Sequence, residues 1–490
     1  MMVAARAPDG LLTPIDFLEQ PAPVARDIFR NGSVSLSTTE RVVAIIKGYQ
    51  KSLAELGIDP HDVTRAAATN ILSEARNHEM FMNRIRIACG LRVGTIDDGE
   101  MTRLIYLKTR RRLQHLPAMR HETTLVVHIG PGNTRALLFQ KGRITRYTSY
   151  RMGTHRTREA VEETHAEGAA LLRVIREHAF GNLAQIRFDY SDVAIDGMVL
   201  IGYEVQSIAS SLTQSNTACT LKKLRQFTAN AAGMSDVELV KHFHLDYQTA
   251  EALLPALEIN LAIAETLKLD TVRIPASEYE QGLLHDLLIS RDLTGGFAEE
   301  VLRSARILAG RYQSDTGHGT HVGELCARLF EELKDLHHLT PHDALLLQVA
   351  AILHEVGTYV SPRAHHKHSE YIILNSEVFG LDRMDVTIVA LVARYHRHSG
   401  PVLDHSSYAA LNTDERIRVS KLAALLRVAD ALERTHAQRV SQLEIRREGG
   451  KLRLRLPGLT DAAVERLAMA SKADLFEQVF GLGVVIDEDN

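Results

Sequence analysis

The stretch VVHIGPGNTRALLFQKGRI, residues 126–144, decides the fold of the middle of the chain. Apolar residues lead into a turn that contains Gly130 and Gly132, and a second apolar run follows, which predicts two strands joined by a glycine loop. Such a loop can hold an anion, because backbone N–H groups converge where no side chain intervenes. The candidate phosphate-binding residues are Gly130, Gly132, Asn133 and Thr134. Pro131 removes one donor, and a plain hairpin turn is the alternative interpretation.

Length, charge and cysteine content limit the class of protein. The 490 residues suffice for roughly two to four domains. A formal net charge of −4 gives no overall attraction to nucleic acid or to an acidic membrane surface. The three cysteines lack CxxC spacing, which argues against a disulfide framework and a structural zinc site. No apolar run approaches the ~20 residues of a membrane span, and the N-terminus lacks a signal-peptide pattern. We expect a cytoplasmic protein with neither nucleic acid nor membrane as a partner.

The chain divides into two α/β lobes and a helical region. Strand and helix patterns alternate through residues 1–120 and 121–295, which is typical of α/β structure. The paired glycines of RDLTGGFAEE, residues 291–300, interrupt this pattern and predict a domain boundary. Residues 296–490 then follow a helical pattern until QLEIRREGGKLRLRL, residues 442–456, which predicts a C-terminal β-hairpin.

Polar side chains from three helices are predicted to face the core of the helical region. His318 has the same helical spacing as apolar Val322 and Leu325. The apolar stretch VAAILHEVG ends in a His–Glu pair, and an aspartate interrupts LAALLRVADAL. Burying such groups costs several kcal/mol unless a cation or hydrogen bonds satisfy them. The pattern therefore favours a divalent-metal site, and a buried polar network without metal is the alternative. The candidate ligands are His318, His354, Glu355 and Asp430.

Two nearby segments, HHKH at 365–368 and RYHRH at 394–398, form a basic and titratable surface. Arginine suits bidentate phosphate binding, and histidines gain charge below pH ~6.5. The candidate polyphosphate-binding residues are Arg394, Arg397 and His366. A solvated helix end is the alternative interpretation.

Seven segments, in order along nearly the whole chain, resemble the exopolyphosphatase and guanosine pentaphosphate phosphohydrolase (Ppx/GppA) family. They are AATNILSEARN (67–77), GLRVGTIDDGEMTRLIYL (90–107), VVHIGPGNT (126–134), AAILHEVG (350–357), HHKHSEYIILNS (365–376), ARYHRHSGP (393–401) and LLRVADALER (425–434). The resemblance implies an actin-like (ASKHA, ribonuclease H-like) two-lobed domain followed by an HD-like helical domain. It implies hydrolysis of a terminal phosphoanhydride of inorganic polyphosphate or guanosine pentaphosphate, with Mg²⁺ as the expected metal and a homodimer as the expected assembly.

The resemblance also shows departures at the phosphate-handling positions of the two lobes. It implies Glu100 as the catalytic base. The opening strand and loop of lobe I, similar to IDIGSNS in the family, are missing from this sequence. Ser73 stands where the family has an arginine, and His128 replaces the carboxylate of DxGGGS. Glu204 lies in the turn that is similar to GTGGT, where it would repel an anion.

Three functions remain open at the level of sequence. The first is a hydrolase of exopolyphosphatase type that uses Glu100 and the loop at 130–134. The second is a catalytically degraded regulatory or scaffold protein that binds polyphosphate or an alarmone. The third is a metal-dependent phosphohydrolase of HD type, because the helical region is similar to an H…HD…D arrangement with Glu355 in place of the second aspartate.

Overall fold

The computed structural model describes residues 1–6, 12–59, 63, 65–113, 122–213, 218–275 and 296–487, with only the backbone described at 6, 12, 98 and 108–113. The chain forms two compact units, Met1–Asp292 and Leu293–Asn490. The paired glycines had predicted this division at 295/296. Within the described ranges, no helix has the length and apolar character needed to cross a membrane.

The first part of unit 1 mixes short strands with amphipathic helices. Its elements are β1 Met2–Arg6, β2 Leu12–Phe17, α1 Val24–Asn31, α2 Leu36–Glu55, β3 Ala67–Thr69, a 3₁₀ turn Asn70–Glu74, α3 His78–Cys89, β4 Gly94–Ile96 and α4 Asp98–Leu113. Strands β1 and β2 pair antiparallel. A strand pair therefore stands at the start of the lobe, where we expected the opening strand and loop to be missing. The residues between the two strands lie outside the described part.

The second part of unit 1 is a six-stranded mixed sheet covered by helices. Its elements are β5 Thr123–Ile129, β6 Thr134–Gln140, β7 Arg143–Tyr150, α5 Thr154–Glu162, α6 Gly168–Asp189, β8 Gly197–Ile201, α7 Tyr203–Ser207, α8 Ala209–Leu212, β9 Ala218–Thr220, α9 Leu221–Ala232, α10 Asp236–Phe243, α11 Tyr247–Thr266 and β10 Thr271–Arg273. The strand order is β7-β6-β5-β8-β10-β9.

The hairpins predicted from residues 126–144 are present in this sheet. Strands β5 and β6 pair antiparallel with Val127 opposite Ala136. Lys141 and Gly142 both have positive φ, 53° and 72°, as a tight two-residue hairpin turn requires. Helix α11 is buried from Thr249 to Ala264 and contributes to one apolar core with the sheet residues Val127 and Leu200. This central position explains why its sequence is apolar all round.

Unit 2 is helical with a small sheet near its end. Its elements are α12 Phe297–Arg311, α13 Thr316–Glu332, α14 Lys334–His337, α15 Pro341–Leu353, a 3₁₀ turn Val356–Tyr359, α16 His365–Leu374, α17 Arg383–Arg394, α18 Ser406–Ala409, α19 Thr413–Leu432, β11 Glu444–Glu448, β12 Lys451–Arg455, α20 Ala463–Lys472, α21 Asp474–Phe480 and β13 Gly483–Ile486. The predicted hairpin is β11–β12, and β13 adds a parallel third strand that the sequence pattern had not indicated.

Close packing of α13 against α15 brings polar side chains together in unit 2. A Cβ on Gly319 would lie 2.9 Å from the carbonyl oxygen of Ile352, so glycine permits this close contact. A capping box fixes the start of α15, because the Thr340 side chain accepts from the N–H of Asp343 and the Asp343 carboxylate accepts from the N–H of Thr340. The fixed helix then places His354 at its C-terminal end, one turn beyond Ala351.

Candidate metal centre

Four buried side chains of unit 2 form a histidine–aspartate cluster, which consists of His318, His354, His396 and Asp430. They come from the first turn of α13, the end of α15, the residues after α17 and the last turns of α19. The ligand atoms of His354, His396 and Asp430 lie within 4.8 Å of one another, and so do those of His318, His354 and Glu355. Such spacing suits one ion shared by several ligands. The four predicted metal ligands are thus neighbours in the structure.

The hydrogen bonds of two histidines fix which ring nitrogen faces the centre of the cluster. His354 Nδ1 lies 2.6 Å from the carbonyl oxygen of Ala351, and His396 Nδ1 lies 2.6 Å from that of Ala393. A carbonyl oxygen only accepts, so each Nδ1 carries the proton and each Nε2 presents a lone pair. A metal-binding histidine is oriented in this way by its second nitrogen.

The lone pair of His354 faces another acceptor. His354 Nε2 lies 3.8 Å from Asp430 Oδ1, and His318 Nε2 lies at the same distance from that oxygen. Neither ring nitrogen has a hydrogen-bond partner among the described residues. Buried acceptors that face one another without a donor are costly, and a cation between them removes the cost. The cluster therefore fits a divalent metal.

Burial sets the protonation of the ligands in the form that a metal requires. It lowers the pKa of His318 to about 4 and lowers the pKa of His396 well below its usual value. Burial acts to raise the pKa of Asp430, but the Lys472 ammonium and the nearby histidines outweigh it and hold that pKa below its usual range. At neutral pH His318 and His396 are thus neutral and Asp430 is ionised, which are the forms that bind a metal. The Lys472 ammonium contacts Oδ2 of Asp430, so Oδ1 is the oxygen that faces the histidines.

Two further side chains border the cluster on its more exposed side. The ring of His436 stacks on that of His318, with 3.6 Å between centroids. His436 Nε2 lies 4.0 Å from Oε1 of Glu355. The side chains of His436 and Glu355 keep 34% and 21% exposure, so both reach solvent and the cluster. They therefore form the solvent-facing border of the cluster.

The residues predicted to bind polyphosphate are mostly engaged within the protein. Arg394 is paired with the carboxylate of Glu370. Arg397 donates to the ring of His365, and the His366 ring lies against that of His398. Burial lowers the pKa of His366 to about 4, so it is neutral at physiological pH and adds no positive charge. The structure does not assemble these residues into a free basic surface.

Two further histidines, His396 and His365, lie at the cluster and were not among the predicted ligands. His365 Nε2 lies 3.2 Å from His396 Nε2, so the His365 ring donates to the lone pair of His396 or both face a common cation. A signal was present, because His396 continues the helical spacing of buried Ile388 and Val392 on α17. The basic character of RYHRH had favoured a surface interpretation, yet His396 keeps only 2% exposure.

Glu100, the predicted catalytic base, lies in a different environment in unit 1. Its two carboxylate oxygens accept from Arg103 at 2.7 and 3.1 Å, and Arg65 approaches at 3.5 Å. The side chain keeps 6% exposure. A carboxylate held bidentately by arginine has little freedom to accept a proton from water. The geometry favours a structural ion pair at this position.

The glycine loop is covered by the chain that follows β7. A Cβ on Gly153 would lie 2.5 Å from backbone atoms of Gly132, so the two segments touch. Arg156 donates to the carbonyl of Gly132 and pairs with Glu74. The N–H of Gly130 is taken up by the carbonyl of Asn133, at 2.9 Å.

The remaining predicted phosphate contact, Thr134, donates its hydroxyl to the carbonyl of Met152. The Gly130 N–H and the Thr134 hydroxyl are thus engaged inside the protein, and the segment around Gly153 lies directly on the loop. Phosphate binding there stays a prediction, and the closed loop does not favour it.

Glu204 is buried near this loop and should make the stability of unit 1 depend on pH. Burial raises its pKa to about 7, although Thr154 donates to its carboxylate. The native state binds the proton more tightly than the unfolded chain, where the pKa of a glutamate is about 4.5. The stabilisation from this group is therefore complete below about pH 4.5 and is lost as the pH rises to about 7.

We expect Glu204→Gln to raise the free energy of unfolding at pH 8 by roughly 3 kcal/mol and to change it little at pH 4.5. Urea unfolding at both values, followed in unit 1, measures the difference. Glu177→Gln, on the exposed surface of α6, is the control and should change neither value. Equal effects of Glu204→Gln at the two pH values would show that burial does not raise the pKa of this carboxyl in the native state.

Comparison with known proteins places the sequence in one family. A model described as the Ppx/GppA phosphatase family matches residues 5–291, and one described as Ppx/GppA phosphatase, domain III, matches residues 302–470. The guanosine-5'-triphosphate,3'-diphosphate pyrophosphatase of Vibrio parahaemolyticus is 23% identical over 465 residues, which are 92% of this chain and 88% of the relative. The enzyme of the same name from Vibrio atlanticus is 22% identical over 434 residues, 87% of this chain and 84% of the relative.

Solved structures similar to the chain carry related descriptions. An exopolyphosphatase from Cytophaga hutchinsonii is 14% identical, covers 59% of this chain and 93% of its own, and has a TM-score of 0.49. The Aquifex aeolicus member of the Ppx/GppA family is 17% identical, covers 59% of this chain and 94% of its own, and has a TM-score of 0.45.

Proposed function

The chain belongs to the Ppx/GppA phosphatase family, and from this premise we propose that it hydrolyses a phosphoanhydride bond at a divalent-metal centre in unit 2. The observation that carries the proposal is the convergence of unpartnered His318 and His354 nitrogens on one oxygen of Asp430. The full-length relatives are named as pyrophosphatases of a guanosine pentaphosphate. The substrate class we propose is therefore a terminal phosphoanhydride of guanosine pentaphosphate or of polyphosphate.

The donor set indicates which metal the cluster would hold. Three imidazoles and one carboxylate would bind the ion through His318, His354, His396 and Asp430. Magnesium prefers oxygen ligands, whereas imidazole suits Fe and Zn among the metals of hydrolytic sites. We therefore propose a transition-metal ion in place of the magnesium that the family resemblance implied. When bound, such an ion lowers the pKa of a coordinated water and neutralises charge on a phosphoryl oxygen.

The protein's own residues would orient the reaction and move its protons. Glu355 lies at the border of the cluster and is partly exposed, so its carboxylate can accept a proton from the attacking water. His436 Nε2, 4.0 Å from Glu355, can pass that proton to solvent. The Nδ1–H bonds to backbone carbonyls keep the His354 and His396 rings in a fixed orientation. Lys472 holds Asp430 ionised and in place.

A binding-only role is the second candidate, and the closed glycine loop of unit 1 favours it. If the reaction takes place at the metal centre, the release of phosphate requires the metal ligands of unit 2. If neither site is active, the purified chain binds phosphate chains without releasing phosphate. The two candidates therefore differ in a direct assay of phosphate release.

We expect Glu100→Gln to change the rate of phosphate release from polyphosphate or guanosine pentaphosphate by less than about threefold. Loss of a catalytic group in unit 1 would instead lower the rate of phosphate release about 10²-fold or more. The assay uses the full chain with added Mn²⁺. Thermal unfolding checks that the fold survives the loss of the Arg103 ion pair. A hundredfold loss in a folded Glu100→Gln variant would return the chemistry to unit 1 and contradict the proposal.

A further inference from the structure

Beside the cluster lies a cleft of about 460 Å³ in unit 2, which we call the arginine cleft. Its lining residues are Arg303, Arg306, Ile307, Thr316, Gly317, Thr320, His321, Glu324 and Gln438. They come from α12, the first turns of α13 and the segment after α19. The proposed reaction uses none of these lining residues.

The lining offers several hydrogen-bond donors to an anion. Arg303 and Arg306 are one helical turn apart on α12, so their guanidinium groups reach the same space. Their side chains keep 21% and 34% exposure. Threonine hydroxyls and the Gln438 amide add donors around them. Guanidinium groups bind phosphate oxygens bidentately, and hydroxyls complete such sites.

The acidic partners of these two arginines do not prevent a ligand from binding. Arg303 lies 3.8 Å from Glu300, and Arg306 lies 3.1 Å from Glu299. The Arg306–Glu299 pair is solvent-accessible, and an ion pair of this kind contributes little and exchanges readily for a stronger partner. The side chain of Glu300 keeps only 10% exposure, but its 3.8 Å contact with Arg303 is longer than a hydrogen bond. Glu324 is the one carboxylate among the described lining residues, and its side chain is 69% exposed. It can turn into solvent when an anion enters.

The arginine cleft and the histidine–aspartate cluster share one turn of α13. Gly317 of the cleft directly precedes His318 of the cluster, and His321 follows three residues later. Side chains three apart on a helix lie about 5–6 Å apart at Cβ. His321 Nε2 lies 3.6 Å from Glu433, which is three residues beyond Asp430 on the adjoining segment. The cleft and the cluster are therefore neighbours along the first turns of α13.

The lining also distinguishes between a phosphate chain and a nucleobase. A nucleobase needs an apolar pocket around the ring or guanidinium group on which it stacks. The described lining residues include no Phe, Tyr or Trp, and Ile307 is the apolar one. The recognition elements are cationic and hydroxyl groups, which match phosphoryl oxygens.

We propose that the arginine cleft binds the linear phosphate chain of the substrate and leaves any nucleoside outside. Hydrolysis of the bound chain rests on the proposed function of the neighbouring centre, whereas the binding itself does not. Arg303 and Arg306 hold the inner phosphates, and the terminal phosphate reaches the histidine–aspartate cluster. Inorganic tripolyphosphate and GTP should then bind with similar affinity, because both present three linked phosphates.

Calorimetric titration of the metal-free full chain with inorganic tripolyphosphate, at fixed ionic strength, tests this site. We expect Arg303→Gln and Arg306→Gln each to weaken binding about tenfold, and the double variant at least about thirtyfold. Arg311→Gln is the matched control, since Arg311 is exposed on the same helix outside the lining. It should leave the affinity unchanged.

The outcomes separate this inference from the proposed function. Unchanged affinity in the double variant, or an equal loss in Arg311→Gln, would overturn the site. GTP that binds more than tenfold tighter than tripolyphosphate would overturn the restriction to the phosphate chain. Asp430→Asn should retain tripolyphosphate binding even if it releases no phosphate. The wild-type chain could hold no metal and release no phosphate, yet bind tripolyphosphate through both arginines. That result would refute the proposed function and support the arginine cleft as a binding site.

Discussion

Replacing Asp430 by asparagine should lower phosphate release at least about a hundredfold and reduce metal affinity by a similar factor. The variant keeps the shape of the side chain but removes the negative charge toward which His318 and His354 converge. Asparagine binds a transition metal weakly, because its oxygen carries no net charge. Steady-state kinetics with added Mn²⁺, together with metal analysis of the same sample, measures both effects.

Loss of the carboxylate also leaves the Lys472 ammonium without its partner, and half-broken buried pairs cost about 3–5 kcal/mol. The double variant Asp430→Asn with Lys472→Met removes both charges and should fold while remaining inactive. Asp385→Asn is the matched control, because Asp385 is a buried carboxylate of unit 2 that bonds one histidine, His342, at 2.8 Å. Turnover that persists in the folded double variant would contradict a role for Asp430.

Added metal should stabilise unit 2 by about 2.7 kcal/mol when its concentration is a hundred times the dissociation constant. The ion gains ligands that the metal-free protein leaves unsatisfied, above all the nitrogens of His318 and His354. For a unit of about 200 residues this corresponds to roughly 5–10 °C in its unfolding temperature. Calorimetry of the full chain with chelator and then with Mn²⁺ measures the shift.

The same experiment with His318→Gln supplies the control, since glutamine fills similar space without an imidazole nitrogen. The unfolding temperature of that variant should respond little to Mn²⁺, and the transition of unit 1 should not move in either protein. A shift of the same size in His318→Gln would mean that the ion binds elsewhere.

The histidine–aspartate cluster could be predicted in part because buried polar residues are conspicuous in an apolar helical pattern. His318, His354 and Asp430 interrupt stretches that are otherwise core, and the structure buries all three below 5% exposure. Local signals also fix the start of α15 at Thr340 and the turn at Lys141–Gly142. These features depend on neighbours within a few residues, which a sequence displays directly.

Contacts between distant residues could not be predicted in the same way. Glu74 reaches Arg156, 82 residues away, and this pair closes over the glycine loop. Arg103 neutralises Glu100 from one helical turn away, whereas Arg65 approaches the same carboxylate from 35 residues away. His396 joins the cluster because α17 packs against neighbouring helices. The arginines beside it in the sequence had suggested that it faces solvent. The sequence pattern shows which residue types are present, whereas tertiary packing determines which of them contact one another.

Metal analysis of the full chain, purified without chelator, tests the central claim most directly. The account predicts about one divalent transition-metal ion per chain in the wild type and close to none in the folded Asp430→Asn, Lys472→Met variant. A wild-type protein that contains no such ion and takes up none from added Mn²⁺, Fe²⁺ or Zn²⁺ would contradict it.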